Sequence, residues 1–272
     1  MRTGRWPRAG FAAGTSCDSR RGTDLAGQEG GIRLETSDGV AVLTIDAPHR
    51  NALTRELAEE LSRACDEVDA DPVVGAAVIR GAGGTFCSGA DRSAWVVGAD
   101  QAEDGTYRMY GAIYAAFRRV GALAVPTIAA VRGAAVGAGL NLALAADLRV
   151  VAEDARLLAG FLRIGLHPGG GFFTLAHRSG GREATAALGL FSEEVSGRRA
   201  VELGIAWEAL PDADVEDRAF ALAARAAADP ELARQALRSF REEAGPPGMT
   251  WDAAIHFERA TQMWSQRRRD EA

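Results

Sequence analysis

Two short runs of small residues hold the spacing with the most chemical content. One is Phe86-Cys87-Ser88-Gly89-Ala90-Asp91; the other is Val131-Arg132-Gly133-Ala134-Ala135-Val136-Gly137-Ala138-Gly139. Each follows a segment that reads as a strand and lies at or near a helix start. Glycine and alanine let a ligand approach the backbone closely. The first N–H groups of a helix lack an intrahelical partner and favour negative charge. Two such N–H groups facing one oxygen form an oxyanion hole. Runs of this kind also make tight strand-to-helix turns, which are common at α/β junctions, and the residues alone leave both readings open.

Other reactive side chains are dispersed. His167 precedes Pro168 in the glycine-rich stretch Gly165–Gly171, where an imidazole can act as a general acid or base or tie the loop by a hydrogen bond. Cys87 sits inside the first run without a partner base and reads as a small buried apolar residue. Asp91 reads as the cap of a following helix. Tyr107, Tyr110, Tyr114 and Phe117 fall three or four apart; such a stripe packs a helix against a core, and a tyrosine in it can still reach a bound group from above a pocket. Cys17, Cys65 and Cys87 are too far apart for a disulfide framework or a CxxC metal pair. A reducing, cytoplasmic setting is expected. The four histidines show no metal-ligand spacing, so no metal is expected.

The elements that must position these residues alternate in type. Ile32–Thr36 and Val40–Asp46 read as strands joined at Ser37-Asp38-Gly39. Leu57, Leu61, Ala64 and Val68 recur at i, i+4, i+7 and i+11, which predicts an amphipathic helix over Thr54–Asp69 with Thr54 as its cap. Ala76–Arg80, Thr127–Val131 and Leu148–Ala152 read as strands, Gly81–Gly89 as a loop, Gly133–Gly139 as a turn and Leu140–Ala145 as a buried helix. Strands alternating with helices predict a parallel α/β core. Beyond Gly180 the pattern turns helical: Arg182–Leu190, Gly197–Leu203, Val215–Ala228, Glu231–Glu243 and Thr250–Arg268. Asp229-Pro230 marks one start, and Gly245-Pro246-Pro247-Gly248 separates the last two. The expected division is a disordered extension over 1–28, an α/β core over 29–195 and a helical region over 196–272.

A chain of 272 residues buries a full core without disulfides or metals. Its net charge of −6 argues against a nucleic-acid partner. All 31 basic residues are arginine, which excludes lysine Schiff-base chemistry and a P-loop. No run of 18 or more apolar residues, the length of a membrane-spanning helix, occurs. Gly81-Ala82-Gly83-Gly84-Thr85-Phe86 lacks the third glycine of a dinucleotide fingerprint.

The stretch from Ile128 through Val131-Arg132-Gly133, Gly137-Ala138-Gly139 and Leu144-Ala145-Ala146-Asp147-Leu148 resembles the signature of the crotonase (enoyl-CoA hydratase/isomerase) superfamily. His49-Arg50-Asn51-Ala52-Leu53, Phe86–Asp91, Gly165-Leu166-His167-Pro168-Gly169-Gly170-Gly171 and Ser196…Ala200…Gly204-Ile205 resemble further segments of that family, in the family's order. The similarity runs from about Gly31 to Trp264. It implies a spiral of strand-strand-helix repeats, a C-terminal helical trimerisation region, and a homotrimer or homohexamer. It implies an acyl-CoA ligand, with coenzyme A arriving as part of the substrate and no separate cofactor. The thioester oxygen would be held by the N–H groups of Ala90 and Ala138, with Ser88, Gly89, Asp91, Gly137 and Gly139 of the two turns among the substrate-binding residues and Arg50 near the nucleotide end.

Hydratases of this family use two glutamates around one water. Asn141 stands two residues after the last glycine of the second turn, at the first of those positions, and Phe161 stands seven before Pro168, at the second. Neither transfers a proton near neutral pH. Gly169 stands where some relatives place an aspartate. The expectation is therefore an enolate-type lyase, isomerase or decarboxylase with His167 moving the proton, or, alternatively, a catalytically silent acyl-CoA-binding protein. Asn141 would orient a carbonyl or carboxylate, and Phe161 would dry the pocket.

Overall fold

A computed structural model describes residues 30–91 and 99–245, with side chains from residue 108 onward in the second span. The expected N-terminal extension, the expected helix Thr250–Arg268 and the Tyr107 side chain lie outside the described residues. The elements run β1 (Gly31–Ser37), β2 (Val40–Asp46), the single turn α1 (Pro48–Asn51), α2 (Arg55–Ala70), β3 (Ala76–Gly81), α3 (Ala99–Gly121), β4 (Thr127–Val131), β5 (Ala134–Val136), α4 (Ala138–Ala145), β6 (Leu148–Ala152), β7 (Arg156–Leu158), α5 (Phe172–Gly189), β8 (Glu194–Ser196), α6 (Gly197–Glu202), β9 (Glu208–Leu210), α7 (Val215–Ala227) and α8 (Pro230–Ala244).

The large sheet has the order β1-β2-β3-β4-β6-β9. Its first pair is antiparallel, and every later pair is parallel. β4 is buried at all five positions, as expected of a strand covered on both faces. α2 buries Leu57, Leu61, Ala64 and Val68, and the Thr54 hydroxyl accepts the Leu57 N–H at 3.1 Å. The Asp229 side chain caps α8 in the same way through Leu232 N–H, with Pro230 at the first helical position.

A second, smaller layer runs alongside. β5, β7 and β8 form a three-stranded sheet, and single bridges extend it from Cys87 to Ala135 and from Ala90 to Leu53. Successive turns of the chain thus give one strand to the large sheet and one short extended segment to the small layer, the strand-helix spiral expected from the sequence. Two readings change. Gly133–Gly139 is not a turn throughout, since Ala134–Val136 is a strand in the small layer. The large sheet also takes its last strand, β9, from beyond residue 195, so the α/β core continues past the expected division.

Candidate active site

The parallel strands β3 and β4 end on the same side of the sheet and release the two glycine-rich runs side by side. Carboxyl ends of such strands are where open α/β sheets place ligands. The runs are laced together: Cys87 N–H donates to Ala134 O and Val136 N–H to Cys87 O, both at 3.0 Å. Gly139 serves this contact. A Cβ there would lie 2.2 Å from Cys87 O, so position 139 faces the neighbouring run and not a ligand. Gly89 has φ +107°, and a Cβ on it would meet Val136 O at 2.9 Å and lie 3.9 Å from Ala138 N. Gly137 (φ 53°, ψ −114°) takes a conformation that suits glycine and ends the small-layer strand at the start of α4.

This lacing consumes most of the local backbone donors. Leu53 N–H donates to Gly89 O, Asp91 N–H to Leu53 O, Ser88 N–H to Arg50 O and Gly137 N–H to Leu158 O, at 2.8–3.0 Å. Among the described residues, no acceptor pairs with the N–H of Ala90 or of Ala138. Ala138 is the first residue of α4, where a free N–H is intrinsic to helix geometry. Ala90 and Ala138 both line a cavity of about 510 Å³.

That cavity also holds Ser88, Gly89, Gly137, Asn141, Phe161 and His167. These residues come from four separated segments of the chain. Arg50, Asp91 and Gly139, expected at the ligand, are not on the cavity wall. Arg50 is exposed and contributes its carbonyl to Ser88. Residues 92–98, which follow Asp91, are outside the described ones, so the expected cap there is too. The far wall comes from α3 through Tyr110, Ile113, Tyr114 and Phe117. The rings of Tyr110 and Tyr114 stack at 5.9 Å with 11° between planes, and Phe161 packs on Phe172 at 5.7 Å.

Polar groups on this wall are few. Asn141 is buried, and its Nδ2 donates to Gly169 O at 2.8 Å. That carbonyl fixes the amide orientation, because the opposite flip would set two acceptors together. Oδ1 is buried without a partner among the described residues. His167 is exposed at the rim, its Nδ1 2.7 Å from Pro168 O; since a carbonyl only accepts, Nδ1 carries the hydrogen. Burial pushes the Cys87 thiol up to about 12, partly offset by its contact with Gly89, so it stays neutral. Among the described residues no three His, Cys, Asp or Glu side chains gather as a metal site, and no helix is long and apolar enough to cross a membrane.

Sequence reasoning gave Asn51 no role of its own, yet it anchors the first run. It is 2% exposed; its Nδ2 donates to Ala82 O at 3.0 Å and Thr85 O at 2.7 Å, and its Oδ1 accepts Ala47 N–H at 3.0 Å. His49, Arg50 and Asn51 all have positive φ, a conformation that asparagine tolerates better than most residues. The signal available was an asparagine inside a recognisable motif.

Fold and cavity together define an α/β spiral protein whose laced turns leave two backbone donors free beside an apolar, aromatic-walled pocket. Residues 35–266 match the enoyl-CoA hydratase/isomerase family, and the chain belongs to that family, within the crotonase superfamily. Over 177 residues, 64% of this chain and 68% of the relative, it is 43% identical to a probable enoyl-CoA hydratase, EchA14, of Mycobacterium tuberculosis. Over 248 residues, 88% of this chain and 91% of the relative, it is 31% identical to a 1,2-epoxyphenylacetyl-CoA isomerase of Escherichia coli. Among solved structures it is similar to an enoyl-CoA hydratase from Polaromonas sp. JS666, with a TM-score of 0.77 and 27% identity over 85% of this chain and 90% of that one.

Proposed function

We propose that the cavity binds an acyl-CoA thioester and stabilises negative charge on its carbonyl oxygen through the N–H groups of Ala90 and Ala138, in an enolate-type lyase, isomerase or decarboxylase reaction. The observation that carries this reading is the pair of unpartnered N–H groups on the wall of a largely apolar cavity. A fixed donor pair stabilises a developing oxyanion more than a neutral carbonyl, and one such donor is worth ~2.7–4 kcal/mol in the transition state. The buried Asn141 Oδ1 would accept a hydrogen bond from the acyl portion. Rapid hydration is not expected, because Asn141 and Phe161 offer no acid or base to a water. The same two residues favour a second reading, a catalytically silent acyl-CoA-binding protein.

A homotrimer or a pair of trimers is the proposed assembly. In its support, Phe191 and Trp207 are 79% and 62% exposed in the single chain, an exposure that an oligomer interface would relieve.

Calorimetric titration with crotonyl-CoA, beside an absorbance assay for loss of the enoyl thioester, tests the function. Saturable binding with little hydration is expected. No binding overturns the acyl-CoA reading, and rapid hydration overturns the reading of Asn141 and Phe161.

A further inference from the structure

With both glutamate positions filled by Asn141 and Phe161, His167 was the expected proton carrier, but a different residue is better placed. Position 169 has no side chain, and the space that one would fill is taken: a Cβ built on Gly169 would lie 2.2 Å from the Tyr114 hydroxyl oxygen and 3.2 Å from its ring carbon Cζ. Gly170 is equally bare, and a Cβ there would meet Asn141 Nδ2 at 2.6 Å and the Tyr114 ring at 3.1 Å. Two adjacent glycines therefore let the loop close on α3, and the phenol of Tyr114 reaches the loop side of the cavity beside Asn141.

The other proton-bearing groups on the wall are engaged or remote. Ser88 Oγ donates to His49 O at 2.7 Å. The Arg163 guanidinium donates to Ser192 O. His167 is exposed at the rim. Tyr110 stacks against Tyr114 and so holds its ring plane. The Tyr114 oxygen, by contrast, lies against the Gly169–Gly170 backbone, whose nearness favours the phenolate, and among the described residues no acceptor takes its hydrogen.

We propose that Tyr114 is the proton-transfer residue of this site, moving a proton between its phenolic oxygen and the acyl carbon next to the thioester carbonyl. This rests on the reading that the cavity holds an acyl thioester. When the phenolate takes the proton, the C–H pair becomes the C=C bond of the enolate. The carbonyl π pair then moves onto the oxygen held by Ala90 and Ala138 N–H. In the return step the enolate pair forms the new C–H bond, the carbonyl re-forms and the O–H bond of Tyr114 breaks. Between the two steps the phenol O–H exchanges its proton with solvent, so in D₂O a deuteron is delivered. Burial raises the phenol above its ordinary value, against the opposing effect of the Gly170 backbone, so the resting state is the neutral acid, suited to protonating an enolate.

The experiment follows deuterium uptake at the α-carbon of phenylacetyl-CoA in D₂O by NMR, with affinity for the same ligand measured by calorimetry. Exchange that rises about tenfold per pH unit from roughly pH 7 to 9, as the phenolate fraction of a group titrating above that range must, is expected. Tyr114→Phe should lower it about 100-fold or more, the range of general acid–base contributions, with affinity changed less than about threefold. Gly169→Ala should cost more exchange in the wild type than in the Tyr114→Phe background, where the hydroxyl it strikes is absent; this coupling is read from a double-mutant cycle. Binding without exchange, undiminished exchange in Tyr114→Phe, or a rate that levels off near neutral pH as an imidazole would dictate overturns the assignment of Tyr114. Absence of binding overturns instead the acyl-thioester reading beneath it.

Discussion

Replacing Ala138 by proline deletes one proposed oxyanion donor while leaving every observed structural hydrogen bond in place. Ala138 is the first residue of α4, the position at which proline is best tolerated because its missing N–H has no helical partner to lose. Its N–H has no acceptor among the described residues, so folding stability should move by no more than about 1 kcal/mol. A bound neutral thioester would lose one hydrogen bond with a net worth of ~0.5–1.5 kcal/mol. That is a roughly 2- to 13-fold weaker dissociation constant, at about 1.4 kcal/mol per factor of ten. Enolate formation would lose ~2.7–4 kcal/mol, or a factor of about 10²–10³ in rate. The two effects therefore differ by an order of magnitude or more. Calorimetry with phenylacetyl-CoA gives the first, α-deuterium exchange the second, and thermal unfolding checks the scaffold. If exchange and affinity fall by the same factor in an intact protein, Ala138 N–H binds the ground state without favouring the oxyanion. If neither changes, the thioester oxygen lies elsewhere.

Three further outcomes follow from the packing. Gly139→Ala places a methyl group 2.2 Å from Cys87 O, a backbone atom that cannot swing aside, and should lower stability by at least the ~1–3 kcal/mol of an overpacked core, seen as a depressed unfolding midpoint. Asn51→Ala strands Ala47 N–H and two loop carbonyls. It should cost ~2–4 kcal/mol, on the scale of one or more unsatisfied buried groups, and weaken acyl-CoA binding because the first run loses its anchor; unchanged denaturant midpoints would show that the anchor is dispensable. Burial pushes the thiols of Cys65 and Cys87 up to about 12, so both remain neutral through the physiological range and gain reactivity only as pH climbs toward that value. Iodoacetamide at about pH 8 should leave both unmodified in the native protein and label both after denaturation, as read by mass spectrometry; rapid native labelling of Cys87 would mean that the first run opens.

The sequence determined the elements whose signals are local. The four-residue rhythm of α2, the Thr54 and Asp229 caps and the apolar strands β2, β4 and β6 were legible because each is set by a few neighbouring residues and one buried face. Both glycine-rich runs were legible as turns of small residues at helix starts, open to either a tight-turn or a donor-site reading, and Asn141 and Phe161 as positions without an acid. Tertiary structure decided the rest. β5, β7, β8 and β9 have three residues each, too few for any periodicity, and exist because remote segments supply their hydrogen bonds. Gly139 is small for the sake of Cys87, not a ligand, which depends on how the two runs are laced. Tyr114 read as one ring of a core stripe, any tyrosine of which could reach a pocket, and only the packing of the glycine loop at residue 169 against α3 singles it out. Local patterning specifies which face of an element is buried; which side chains meet across the pocket depends on how turns far apart in sequence stack.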